Sequence, residues 1–335
     1  CMILVTGGTG LVGSHLLYHL TLENDVVRAI YRTKKSIEAV QKVFLYDADN
    51  GTSLFSKIEW IQADITDVPS LENTFENVTF VYHAAALVSF DPKEYRTMRQ
   101  VNIEGTANIV NLCIDEKVQK LCFVSSIAAV GDSINSTEIN EENEWVVGKN
   151  SSGYSITKYG AEMEVWRATQ EGVDVVIVNP GVILGAGFWR LSTGKFFTQV
   201  AKGFHFYTEG ITGFVGVTDV VKVMLQLMKS EVKNERFILV SENNSFKEVF
   251  SQIAEGLGKK KPRIKISKIV TAVLWRIDTV ISKITRKTPL LTKENAKSLH
   301  EVSLYSSEKI KTTLNYSFEP IEEVIQKTCT LFLKG

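Results

Sequence analysis

Short runs of apolar residues alternate along the first half of the chain with longer segments in which apolar positions recur every three or four residues. Residues 3–5, 26–31, 58–61, 80–82, 121–124 and 175–178 read as six strands. Helical spacing follows the first of them at Leu11, Leu16, Leu17 and Leu20. It returns over about residues 33–46, 68–76, 92–115 and 153–171. The first run, Ile3 to Val5, is apolar throughout, as a strand covered on both faces requires. The pattern predicts an α/β fold, a doubly wound parallel sheet with its ligand at the carboxyl ends of the strands. Residues 305–314 and 321–333 read as closing helices, the second opened by Pro320.

The first strand runs directly into Thr6-Gly7-Gly8-Thr9-Gly10-Leu11-Val12-Gly13. Gly7 can take the positive φ of a tight turn, Gly10 has no Cβ to obstruct a diphosphate, and Gly13 lets the next helix lie close on the sheet. Unpaired N–H groups at that helix start face the phosphates. Gly7, Thr9, Gly10, Leu11, Val12 and Gly13 are therefore expected to cradle a dinucleotide. After the second strand, Arg32-Thr33-Lys34-Lys35 has no acid to accept from a ribose 2′-hydroxyl. The Arg32 guanidinium suits a 2′-phosphate, which favours NADP(H), with NAD(H) as the alternative and a solvated basic turn as the plainer reading. Asp64 and Ile65 are placed at the adenine, and Ala84, Ala85 and Ala86 form a smooth floor at the nicotinamide ribose. Asp67 reads as a helix cap, and His83, ending an apolar strand, as a satisfied core histidine.

Candidate chemistry lies further on. The fifth strand ends in Ser125-Ser126, and Tyr154 and Lys158 follow four residues apart, on one face of a helix. A phenol titrates near 10 when free, and a neighbouring ammonium and an oxidised nicotinamide would both pull it down. Tyr154 is then the expected general acid/base, Ser126 the holder of the substrate oxygen, and Lys158 the anchor of the nicotinamide ribose.

Composition narrows the partners. Lys plus Arg equals Asp plus Glu, 38 against 38, so no overall field argues for nucleic acid or an anionic membrane. Cys1, Cys113, Cys122 and Cys329 have neither paired nor metal-ligand spacing, and no metal site is expected. With no signal peptide and no long apolar span visible, the reading is a cytoplasmic protein. A 335-residue chain that is 44% hydrophobic can bury a sizeable core and carry a second lobe.

The glycine motif, the Ser126-Tyr154-Lys158 set and Asn179-Pro180-Gly181-Val182-Ile183-Leu184-Gly185 together resemble the extended branch of the short-chain dehydrogenase/reductase superfamily. The likeness covers almost the whole chain and is nearest to dihydroflavonol reductases and hydroxysteroid-dehydrogenase-like members. It implies a Rossmann domain over 1–180, its sheet completed by part of 210–245. A smaller C-terminal substrate lobe would occupy most of 181–335, with Pro180 and Val182 near the cofactor and a homodimer as the assembly.

Departures from the branch's sugar enzymes matter. Val130 stands where those enzymes carry a tyrosine, and Ile127-Ala128 where dehydratases carry an acidic pair. Oxidation or reduction of a ketone or secondary alcohol is thus preferred, with a nucleotide-sugar epimerase or dehydratase as the alternative. The segment 185–215 is rich in aromatic residues; Phe188 and Trp189, with Phe90 and Ser126, are expected to face a bulky apolar small-molecule substrate. The basic loop 258–265 precedes Ile269, Val270, Val273, Leu274, Ile277, Val280, Ile281 and Ile284 at helical spacing. This helix is expected to pack its apolar face on its own domain, without membrane contact. Asp219 reads as a cap.

Overall fold

The described residues of this computed structural model are 2–132, 138–146, 148, 151–285 and 292–334. Cys1 and the Val280, Ile281 and Ile284 side chains lie outside them. In chain order the strands are β1 (Met2–Thr6), β2 (Val27–Tyr31), β3 (Ile58–Gln62), β4 (Val78–His83), β5 (Lys120–Val124) and β6 (Asp174–Pro180). They continue with β7 (Val182–Leu184), β8 (Phe206–Tyr207), β9 (Ile211–Gly216), β10 (Glu235–Leu239), β11 (Glu242–Ser245) and β12 (Ile264–Lys265).

Seven strands form one sheet in the order β3-β2-β1-β4-β5-β6-β10, with every neighbouring pair parallel. The order reverses direction between β1 and β4, which opens a crevice at the carboxyl ends of those two strands. Side-chain alternation explains why the strands are apolar on both sides. Ile3 and Val5 pack with Leu16, Leu17, Leu20 and Met224 on one face, while Leu4 packs with Val81, Ile109, Phe123 and Val165 on the other. The Rossmann sheet expected from the sequence is the one observed, and β10 lengthens it beyond β6.

A second sheet, β11-β9-β7, carries a separate core in which Phe197, Phe214, Phe250, Ile253, Ile325 and Cys329 are buried. Cys113, Cys122 and Cys329 are free and buried. Among the described residues no group of His, Cys, Asp and Glu could hold a metal ion, and no helix is long and apolar enough to cross a membrane.

Several elements differ from the pattern-based reading. The helix expected over 33–46 ends at Phe44, and a turn leads to a further short helix, Gly51–Phe55. The stretch 92–115 is helical but not uniform, because Gln100–Glu104 widens into a π-helical turn between Tyr95–Arg99 and Gly105–Asp115. Asp67 occupies the cap position of Val68–Glu72 without a side-chain cap bond. Asp219 does not cap either. Its helix, Val217–Lys229, starts two residues earlier, and its buried carboxylate accepts from the Tyr316 hydroxyl (2.6 Å) and the Glu319 N–H (2.9 Å), tying the C-terminal region to that helix.

The helix Lys268–Thr285 reverses the expected packing. Ile269, Val270, Val273, Leu274 and Ile277 are exposed, while Thr271 and Ser282 are buried. Thr271 is held there by its hydrogen bond with His300 (2.7 Å), so the helix satisfies its polar stripe inside and leaves its apolar stripe outside.

Candidate active site

At the crevice, Gly7 has φ +70°, and a Cβ there would lie 2.4 Å from the backbone of Ala84 and Ala85. A Cβ on Gly13 would lie 2.1 Å from the Gly7 carbonyl oxygen, so this glycine is what lets the helix Leu11–Glu23 close on the turn. Gly10 is different, because its Cβ would meet only the Gly7 oxygen, at 3.4 Å. The first intrahelical bond runs from the Ser14 N–H to the Gly10 carbonyl (2.9 Å). The N–H groups of Leu11, Val12 and Gly13 therefore point out of the helix start without an intrahelical acceptor. Thr9 and Gly10 are at least partly open to solvent, and no acid stands in this first turn. Such a cradle fits a diphosphate.

Along the crevice, Arg32 is exposed just past the end of β2, and its guanidinium makes no ion pair among the described residues. Asp64 uses Oδ1 to accept from the N–H and hydroxyl of Thr66 (2.9 and 2.8 Å). Ile65 is buried against Gly105, where a Cβ would be 2.7 Å from it. The Ala84 N–H donates to the Thr6 carbonyl (3.1 Å), which sets Ala84, Ala85 and Ala86 beside the glycine turn. His83, beneath them, is fully buried between Thr6 Oγ1 (Nδ1, 2.6 Å) and Thr106 Oγ1 (Nε2, 2.9 Å). Burial pushes it down to about 3, so it is a neutral core histidine. Pro180 closes β6 and Val182 opens β7, joined at Gly181, whose Cβ would be 2.4 Å from the Gly213 carbonyl oxygen.

Beyond β5, Ser126 starts a short 3₁₀ turn and its Oγ accepts from the Ala128 N–H (3.1 Å). The helix Gly153–Gln170 begins at Ser152, whose side chain accepts from the Ser155 N–H (3.0 Å). Its first turn brings Tyr154 to Ser126. Burial raises the phenol above its usual value, and the neighbouring Ser126 hydroxyl acts in the opposite direction. One turn on, the buried Lys158 donates to the Val124 carbonyl (2.8 Å) and lies over the Phe123 ring (4.5 Å). Burial lowers its ammonium to about 8. In the protein alone desolvation is thus the larger effect on the Tyr154 phenol, and it favours the protonated form.

Of the residues expected on the substrate side, Phe90 stacks obliquely on Tyr154, with ring centroids 5.9 Å apart. Trp189 instead packs edge-on against Phe197 and Phe332 in the lobe core, and Phe188 is buried. Their segment is pinned to the dinucleotide helix, since His15 Nε2 is 2.9 Å from the Ala186 carbonyl oxygen. Most other rings of 185–215 also fill the lobe; Phe196 and Phe204 pack on Phe250, and Phe214 on Phe246.

The sequence model of the NAD dependent epimerase/dehydratase family matches residues 3–239. The chain belongs to this family. Sterol demethylase protein B of Methylococcus capsulatus is 29% identical over 267 residues, covering 78% of this chain and 76% of that protein. A putative dihydroflavonol 4-reductase of Synechocystis sp. is 27% identical over 267 residues, covering 77% and 73%. The crystal structure of UDP-glucose 4-epimerase from Thermotoga maritima superposes with a TM-score of 0.77 at 19% identity, over 100% of this chain and 99% of that one, a likeness of fold alone. This family member is an NAD(P)-dependent enzyme of the extended short-chain dehydrogenase/reductase type, as its motifs implied.

Two residues of the site escaped the sequence reading. Glu162 is fully buried one turn beyond Lys158; it accepts from the Ser125 hydroxyl (2.6 Å) and Asn179 Nδ2 (2.9 Å) and pairs with Arg236 of β10 (3.2 Å). Asn179 Nδ2 also donates to the Ser126 carbonyl (3.0 Å), so the network fixes the serine from behind. Asn102, inside the π-turn, exchanges hydrogen bonds with the Leu87 backbone (2.7 and 2.9 Å) and donates to Thr157 (3.0 Å). The available signal was position, since both polar residues fall on the core-facing stripe of their helices.

Proposed function

We propose that this enzyme transfers a hydride between NADP(H) and a ketone or secondary alcohol of a bulky, largely apolar small molecule. The observation that carries the reading is the grouping of Ser126, Tyr154 and Phe90, a protonated phenol between a hydroxyl and an open aromatic ring. The glycine turn and Lys158 would hold a nicotinamide cofactor, which would supply or accept the hydride. Ser126 holds the substrate oxygen. In the reducing direction Tyr154 gives its phenolic proton to that oxygen as the adjacent carbon becomes tetrahedral. Lys158 holds the ribose hydroxyls. The backbone of Gly7, Thr9, Gly10, Leu11, Val12 and Gly13 takes the diphosphate. Asp64, with Oδ2 still open, receives the adenine amino group beside Ile65, while Ala84, Ala85, Ala86, Pro180 and Val182 wall the nicotinamide end.

Arg32 supports the choice of NADP(H), because its exposed guanidinium follows β2 with no ion pair among the described residues and suits a 2′-phosphate. Phe90 supports an apolar substrate, and no acid follows Ser126 to remove water. The helices Gly105–Asp115 and Gly153–Gln170 pack together on one sheet face and would supply the homodimer contact. The reading is tested by following the absorbance of the reduced cofactor with aryl and alicyclic ketones beside UDP- and dTDP-sugars. Stoichiometric cofactor oxidation by a ketone is expected. Interconversion of a sugar nucleotide with no net change in cofactor would overturn the proposal in favour of an epimerase.

A further inference from the structure

The helix Lys268–Thr285 presents an unpartnered apolar stripe. Ile269, Val273 and Ile277 are 78%, 50% and 50% exposed, with Val270 and Leu274 beside them. On a helix these five positions span less than half the circumference, and Thr271 and Ser282 occupy the opposite side, where they are buried. The strand pair just before it in the chain is exposed and apolar as well. Phe206 of β8 and Ile264 of β12 are ladder partners, so they share a face, and both are exposed. Five exposed apolar residues on one helix face mark a contact surface.

Charge identifies what it contacts. Between residues 259 and 278 the chain carries Lys259, Lys260, Lys261, Arg263, Lys265, Lys268 and Arg276 against a single acid, Asp278. Lys261 is neutralised by Glu255 (2.7 Å) and Lys265 by Glu209. Lys259, Lys260, Arg263 and Lys268 have no ion-pair partner among the described residues. A symmetric contact with a second copy would set these cations against their own counterparts with only Asp278 in the segment to answer them. An anionic bilayer surface answers both features, its headgroups the lysines and its acyl boundary the apolar stripe.

We propose that the helix Lys268–Thr285, with β8, β12 and the basic loop before it, docks the enzyme on anionic phospholipid membranes, lying in the interface without crossing it. This docking is independent of the reaction proposed above and is read without turnover.

The test is flotation of the whole chain with vesicles of phosphatidylcholine alone or mixed with phosphatidylglycerol. Flotation is expected with the mixed vesicles at low salt, with release as salt is raised. Replacing Lys259, Lys260 and Arg263 by Gln should lower partitioning about fivefold per charge removed. Ile269→Asp with Val273→Asp should abolish it, with circular dichroism reporting that the variant folds. If that pair does not fold, the surface glutamine set still decides. Absence of flotation at low salt, or flotation unaltered in the glutamine set, overturns the proposal. So does lipid-free self-association in sedimentation velocity that is lost with Ile269→Asp and Val273→Asp, which would assign the stripe to a second copy.

Discussion

Lys158 Nζ donates to the carbonyl of Val124, the last residue of β5, at 2.8 Å. That bond fixes the rotation of the helix Gly153–Gln170 against the strand that leads into Ser126, and so delivers Tyr154, one turn earlier, to the serine. Tyr154→Phe removes only the hydroxyl. Turnover is expected to fall by roughly 10²–10⁴-fold, the usual worth of a positioned acid/base. Cofactor affinity, measured by fluorescence titration, should stay unchanged; a variant that retains turnover would remove Tyr154 from the chemistry.

A pH limb should belong to Lys158. Burial brings its ammonium to about 8, while the Glu162 carboxylate holds it up. The other groups around it, the Val124 carbonyl, the Phe123 ring, Tyr154 and neutral His83, carry no net charge. The charged form is lost as pH rises through about 8, so cofactor affinity is expected to fall there. Deleting the negative charge with Glu162→Gln disfavours the protonated amine and should move this limb to lower pH by about one unit. Binding isotherms across the alkaline range read both; a limb that stays in place in the variant would show that Glu162 acts on structure alone.

Gly13 and Gly10 should separate by experiment. Ala at 13 would drive a Cβ to 2.1 Å from the Gly7 carbonyl oxygen. It is expected to cost about 1–3 kcal/mol of stability as well as dinucleotide binding. Ala at 10 meets only an ordinary contact at 3.4 Å. Its cost to the fold should be about 1 kcal/mol or less, while affinity falls sharply because the new methyl stands at the diphosphate cradle. Denaturant melts beside titrations distinguish the two, and equal destabilisation would remove the cradle as the explanation for Gly10.

Arg32→Ala should weaken NADPH and leave NADH nearly untouched, since only the former carries a 2′-phosphate for the guanidinium. Loss of one charge-assisted contact is worth about 1.5–3 kcal/mol, or roughly 10- to 100-fold in affinity. Parallel titrations decide it; a variant that discriminates as the parent does would return Arg32 to the role of a solvated basic residue.

Acid should unfold the protein through two histidines. Burial pushes His83 to about 3 and His15 to about 4, against 6.5 for the free side chain. Between these values the unfolded chain takes up protons that the folded one refuses, so stability is full above about 6.5 and declines as pH falls. The expected loss is roughly 3 kcal/mol per histidine by pH 4. His83→Gln should flatten the profile of melting against pH by about one proton; an unchanged slope would mean that His83 is not the titrating group.

The sequence by itself determined the sheet, the glycine turn and the pairing of Tyr154 with Lys158. Each is local: apolar runs specify doubly covered strands, three glycines shape one turn, and a spacing of four puts two side chains on one helix face. Tertiary structure decided what local pattern does not encode. It buried Glu162 and Asn102, because strands and helices far apart in the chain supply their hydrogen-bond partners. It put Trp189 into the lobe core and left Phe90 against Tyr154, a choice made by which rings the lobe had room to enclose. It kept the Tyr154 phenol protonated, since desolvation depends on everything packed around a group. And it turned the helix Lys268–Thr285 outward, because hydrophobic spacing marks which residues share a stripe but not whether protein or something else covers it.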